Sequence, residues 1–496
     1  MEGIFGCIRH HLDLVLLQSS SSMVVETKRG SWSQYRNEYI AALTATLSLV
    51  ATVAAAGWSS PAIPALKRED SPVPITADQG SWIVSILSIG SFFGPIITGL
   101  VVDVHGRKLT LLLSVIPLLV GWIIIGLASN VPMIYLARFL QGISYGTVYS
   151  VTPIYLGEIS SNAIRGSTGI LVTVMAKLAF LLEYSIGPFV TFRALSWISL
   201  CFPIAFLATF LWMPETPYYL LAQGNDKAAM NSLRWLRRLD DNSIELNKEF
   251  QQMKSLIEKQ KQNQTSMGAL FSKSNRKCLV IILLLSCGMQ LTGINAILGY
   301  SQTIFSKLDM NLNAAELSII MAVVQLIAVI IPTFVVDKAG RRPLLFISSG
   351  GSVLGLVTCS VFFTMDTLGY PVEEFSWVPF VGTLFFIISF AVGLATVPFA
   401  ILGEVFPKHI KANANAVFAM ITSVVVFVVV KLFQVISDGA GTYVSFWIFS
   451  LCTTCTGVLI YFFIPETKGK SFEVIQEMMA MKELKSQSTK RTPLLC

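Results

Sequence analysis

Asp103-Val-His-Gly106-Arg107-Lys108 recurs 234 residues later as Asp337-Lys-Ala-Gly340-Arg341-Arg342. A second acid–base motif keeps the same rhythm. Glu158 stands seven residues before Arg165-Gly166, and Glu404 seven before Lys411-Ala412. Pro214-Glu215-Thr216-Pro217 and Pro465-Glu466-Thr467-Lys468 then form a third pair. Carboxylates and cations so placed support reversible ion pairing, and the pattern points to no bond-making chemistry. No catalytic residue is expected. Asp103, Arg107, Glu158, Arg165, Asp337, Arg341, Glu404 and Lys411 are expected to form a salt-bridge ring that closes one mouth and opens as two halves rock. Topology alone would also gather cations on one face, but three motifs in register favour a gate.

The elements that hold these motifs are apolar. Hydrophobic residues make up 53% of the 496, charged residues 13%, and the mean hydropathy is +0.66. A soluble domain carries about 25% charge, so lipid must be the solvent here. Runs long enough to cross about 30 Å of hydrocarbon are read near 40–62, 80–101, 109–128, 133–154, 166–187, 194–213, 277–305, 316–336, 344–364, 377–400, 412–434 and 443–463. The fold class expected is therefore all-α integral membrane, with twelve transmembrane helices in two pseudo-symmetric six-helix bundles. A cytosolic tail (1–37), a first bundle (38–213), a cytosolic helical linker (214–276), a second bundle (277–464) and a cytosolic tail (465–496) follow. In the linker, Leu246, Phe250, Met253 and Ile257 recur at helical spacing, which marks an amphipathic helix. It either lies under the bundles or belongs to a solvated connection.

Charge sets the orientation. With both termini inside, outer loops hold only Lys67, Arg68, Arg193 and Lys307. Arg138, Lys177 and Lys431 fall within spans, so 29 of the 36 basic residues lie on the inner side. The net charge of +7 is thus topology, and no nucleic-acid partner is implied. The partners expected are the bilayer and a small molecule, with no metal or cofactor. Oligomeric state is not legible. Of the eight cysteines none lies in an outer loop, so no disulfide framework is expected. Cys452-x-x-Cys455 sits inside an apolar span and reads as packing.

Taken together, the two hairpins, Arg138-Phe-Leu-Gln-Gly142, the Glu–Arg-Gly pair, Pro-Glu-Thr-Pro and Gln290-Leu-Thr-Gly-Ile-Asn295 resemble the sugar porter branch of the major facilitator superfamily. Gly57-Trp-Ser-Ser-Pro61, Gly80-Ser-Trp82 and Gly403-Glu-Val-Phe-Pro407 resemble the insect facilitated trehalose transporters. The resemblance runs from about residue 38 to 470. It implies a plasma-membrane, multi-pass, facilitative carrier of trehalose or a hexose that works by alternating access.

The resemblance also implies a pocket. Gln290 and Asn295 match amide positions that contact sugar, with Tyr300 beyond them near the outer gate, and Gln325 falls at a pocket amide. Phe399 replaces the family's Trp, Thr396 a Pro, Met289 a Gln, and Thr422-Ser423 an Asn-Trp pair, while Thr173 holds a position often Gln. Four residues on is Lys177, on the same helical face and near mid-membrane. It either faces the cavity, favouring an anionic substrate, or serves an internal ion pair. Glu183, six residues further, points elsewhere. The first span, Ile40 to Ala62, has no Asp or Glu, so facilitated diffusion is favoured over coupling through Glu183. An organic-anion or proton-coupled carrier, or a non-transporting sugar sensor, is the alternative.

Overall fold

The computed structural model describes residues 34–240, 243–262, 276–332, 339–405, 411–464, 466 and 468. Among them, eleven helices are long and apolar enough to cross a membrane. They are Arg36–Leu66, Ala77–His105, Arg107–Gly126, Arg165–Phe189, Phe192–Phe210, Cys278–Gly299, Ala314–Pro332, Arg341–Thr367, Glu373–Leu402, Asn413–Gly439 and Thr442–Phe463. Val131–Ile159, at 29 residues, is just as long. It is more polar because it buries Arg138, Gln141, Ser144, Thr147 and Thr152 against its neighbours instead of facing lipid. Counted with it, the spans number twelve, six on each side of the linker. Numbered in chain order, they are spans one to twelve below.

Several helices outrun the apolar stretches expected from sequence. Span two reaches from Ala77 to His105, and Thr76 starts it with a full capping box on Gln79. Such ends satisfy the first-turn N–H groups that a membrane cannot hydrate.

Small residues set the approach of helices within each half. A Cβ on Gly94 would overlap the Gly146 backbone, and one on Gly146 would overlap the Ser91 carbonyl. Spans two and four therefore touch backbone to backbone, as small residues allow in lipid. The halves meet most extensively along two seams, span two against span eleven and span five against span eight.

Three short helices, Pro217–Ala222, Asp226–Arg237 and Ile244–Gln262, follow span six. Leu246, Phe250, Met253 and Ile257 pack on Leu221, Ala229 and Leu233 in a core of their own. Arg237 fastens this subdomain to the first half. It pairs with Glu38 at 3.0 Å and Glu249 at 2.7 Å, and donates to the Ile159 carbonyl. Burial pulls the Arg237 pKa down, but the two carboxylates outweigh it and raise it. The amphipathic helix therefore packs on the two short helices before it, and Arg237 ties that subdomain to the first half. The first helix starts at Arg36, before the acid-free stretch Ile40 to Ala62, and buries Glu38 in its first turn.

Candidate functional site

The two hairpins are built alike. Gly106 and Gly340 both sit at φ +90°, where a side chain would be strained. Each frees the first turn of the next helix for a carboxylate. Glu215 accepts from the Lys108 amide at 3.0 Å, and Glu466 from the Arg341 and Arg342 amides at 3.1 and 3.0 Å. The Pro-Glu-Thr motif thus places an anion on a helix N-terminus, where the dipole and free N–H groups favour it. Burial pushes the Glu215 carboxyl up, opposed by those N–H groups and Arg107. Glu215→Ala should lower stability by about 1–2 kcal/mol through the stranded amide, read as a lower melting midpoint in detergent.

The guanidinium groups then reach the acids of the second motif. Arg107 bonds Glu158 at 3.1 Å and Asp103 at 3.3 Å, and Arg341 bonds Glu404 at 2.9 Å. Thr216 donates to the other Glu158 oxygen. Every one of these pairs stays inside its own half. This departs from the expected ring in two respects. Arg165 is exposed and Lys411 half-buried, and neither makes an ion pair among the described residues. The seven-residue spacing puts Glu158 and Arg165 on either side of the turn at Ser160–Ile164, and Arg107 takes the carboxylate first. Asp337 lies outside the described residues.

Contacts between the halves lie at mid-depth and at the far end from the hairpins. Ser91 and Ser423 hydroxyls meet at 2.6 Å, and Ser60 and Ser301 at 2.7 Å. Tyr184 donates to the Leu298 carbonyl. Lys431 crosses from span eleven to span two. It pairs with Asp78 at 2.7 Å, donates to Ser81 at 2.6 Å and stands 4.5 Å above the Trp82 ring. The sequence marks Lys431 only as a cation within a span and does not single out Asp78. Nothing in the chain order links the two.

Three of the expected pocket residues, Gln290, Asn295 and Tyr300, lie at breaks in or just beyond span seven. Span seven unwinds at Gly293, φ +79°, so Gln290 and Asn295 flank the break, with Asn295 Nδ2 donating to Gln290 Oε1. Tyr300 is buried on Phe433, ring centres 5.3 Å apart, and its hydroxyl has no partner. Gln325 is buried, with Nε2 unpartnered. Lys177 Nζ donates to Gln325 Oε1 at 3.2 Å across the span five–eight seam. Thr173 is exposed one turn away, and Phe399 is exposed with its edge on Phe418. Thr422 and Ser423, which stand where the resemblance expected Asn and Trp, are spent on bonds to Ser286 and Ser91. Glu183 is buried under Ser199, which donates to it at 2.6 Å. Among the described residues no cluster of His, Cys, Asp and Glu could hold a metal.

A family model described as "Sugar (and other) transporter" matches residues 17–479. A facilitated trehalose transporter of Culex quinquefasciatus is 31% identical over 450 residues, 89% of this chain and 86% of the relative. The corresponding protein of Apis mellifera ligustica is 31% identical, covering 92% and 90%. That of Aedes aegypti is 31% identical over 90% of this chain, which spans only 55% of that relative's length. Among solved structures, the xylose transporter XylE from E. coli in a partially occluded inward-open conformation matches with TM-score 0.74 and 20% identity, over 88% of this chain and 100% of that one. The proton:xylose symporter XylE bound to 6-bromo-6-deoxy-D-glucose gives TM-score 0.72 and 21% identity, over 90% and 99%. Both share the major facilitator fold with this chain.

Proposed function

The chain belongs to the sugar (and other) transporter family, and from that premise we propose that it is a facilitative carrier of trehalose or a hexose. Its two halves rock about a chamber at the seam, with both termini cytosolic in the plasma membrane. The observation that carries the reading is a set of membrane-embedded amides, with Gln290 and Gln325 buried and Asn295 half-buried. Gln290, Asn295 and Gln325 stand at helix breaks or seams, and the Gln325 amide and Tyr300 hydroxyl keep unused hydrogen-bonding capacity. Polar groups embedded in a membrane mark substrate paths, and sugar hydroxyls match amides in both donor and acceptor roles. Asp103, Arg107, Glu158, Arg341 and Glu404 stiffen each half at the cytosolic end, leaving the mouth free to part. No step makes or breaks a covalent bond.

Uptake of radiolabelled trehalose and glucose into oocytes expressing the chain tests the carrier. Flux should saturate at millimolar substrate, an affinity of about 4 kcal/mol, and equilibrate without accumulating when a protonophore is added or withheld. Surface-expressed protein that binds sugar without flux would make it a sensor. Proton coupling is a second reading, favoured by one observation. Glu183 is buried with Oε2 unpartnered, and Arg138 lies close enough for their charges to interact. Accumulation that a protonophore abolishes would establish it over uniport.

A further inference from the structure

Lys177 stands about 18 Å along span five from its start at Arg165, twelve residues at 1.5 Å each. That is the middle of the membrane. No acid pairs with it among the described residues, and Glu183, the one acid on its helix, is engaged by Ser199. What the ammonium does have is the Gln325 oxygen, plus the Phe180 ring at 5.6 Å. The bond to Gln325 has a consequence for the amide. Because an ammonium only donates, it must meet the amide oxygen, and so turns Nε2 away as a donor. That Nε2 is buried and has no acceptor. Lys177 and Gln325 therefore offer donors from both halves and carry a formal positive charge, while their one acceptor, Gln325 Oε1, is already engaged.

A sugar hydroxyl answers this imperfectly, since it brings a proton that also needs a partner. A carboxylate is acceptor-only, has two oxygens, and supplies the missing negative charge. We propose that Lys177 and Gln325 form a carboxylate subsite in the transport chamber and that the carrier takes a sugar acid, a hexuronate or similar ring bearing one carboxylate. Gln290 and Asn295 would meet the ring hydroxyls. The inference rests on the carrier reading and narrows its substrate class. It also links cargo to motion. The two donors belong to opposite halves, so a carboxylate bound between them bridges the seam, and its departure removes that bridge.

The test compares uptake of radiolabelled D-glucuronate, D-glucose and trehalose by oocytes expressing the full chain, each normalised to surface protein by biotinylation. Wild type should carry glucuronate. Lys177→Met should lower the glucuronate-to-glucose ratio by about fivefold or more, through loss of the charge that discriminates them. Lys177→Arg, which keeps the charge, should hold the ratio within about twofold. Gln325→Glu gives a second variant, because its carboxylate would neutralise Lys177 internally and should lower the ratio as Met does. Glucose or trehalose flux with no glucuronate flux would overturn the subsite and leave the carrier standing, as would a ratio that Lys177→Met and Gln325→Glu leave unchanged. Surface-expressed wild type that moves none of the three sugars would overturn the carrier and the subsite together.

Discussion

Arg138→Met should remove most folded carrier from the membrane. Arg138 is 1% exposed and spends its guanidinium on three helices. Nε donates to the Ile83 carbonyl at 3.1 Å in span two, and Nη1 to the Ala55 carbonyl in span one and to Gln141 Oε1 at 3.0 Å. Nη2 donates to Ser59 at 2.9 Å, and the group lies 5.4 Å from the Trp58 ring. Of these acceptors, the Ala55 carbonyl and Ser59 flank Trp58, where span one breaks between its two segments Arg36–Gly57 and Ser59–Leu66. Helix breaks in lipid survive only where something satisfies their backbone, and here that something is one side chain. Met fills the volume but leaves the Ala55 carbonyl, Gln141 and Ser59 without their donor and Glu183 without its nearby cation. Removing one partner from such a buried charge network costs about 3–5 kcal/mol. The expected result is a broad, aggregated profile on size-exclusion chromatography and surface biotinylation reduced by about tenfold or more. Arg138→Lys should rescue little, because an ammonium cannot reach three helices with the geometry of the fork. A Met variant with wild-type melting and uptake would show that the network is dispensable.

How much of this was legible without coordinates follows from what each feature depends on. The twelve spans and the paired hairpins came from hydropathy and repetition, which are local properties of the chain. The Pro-Glu-Thr motifs were visible as a pair, but their role was not. Glu215 is far from Lys108 in sequence, and only the fold brings the carboxylate to that helix start. The ring of eight charges illustrates the same limit. Spacing singled out Arg107, Glu158, Arg341 and Glu404, yet it could not decide which acid each cation would choose. Arg107 won Glu158 within the half, so Arg165 stayed in solvent. The pocket fared similarly. Lys177 was conspicuous as a midmembrane cation, while its partner Gln325 lies 148 residues away on the other half.

Lys431→Glu should swing the conformational balance toward opening at the end opposite the hairpins. The ion pair to Asp78 is partly exposed, Asp78 keeping 70% of its side-chain surface, so by itself it contributes about 0.5–1 kcal/mol. The ammonium over Trp82 adds about 1 kcal/mol, and the Ser81 bond fixes the geometry. Replacing that cation with a carboxylate removes both contributions and sets two acids against each other. A shift of about 2 kcal/mol, roughly 30-fold in the ratio of the two states, is expected. Only contacts that differ between the states can move this ratio, and this one exists only while spans two and eleven touch at that end. The hairpin-end pairs, being internal to each half, have no such leverage. Ser301 reports the change, since its hydroxyl is buried against Ser60 between the halves. In a Ser301→Cys background, labelling from outside the cell by a membrane-impermeant thiol reagent should accelerate about 30-fold with Lys431→Glu. Swapping the charges by adding Asp78→Lys should return most of the slow rate. Equal labelling with Lys431 or Glu, or acceleration that the swap fails to reverse, would mean that the halves are held together by packing alone.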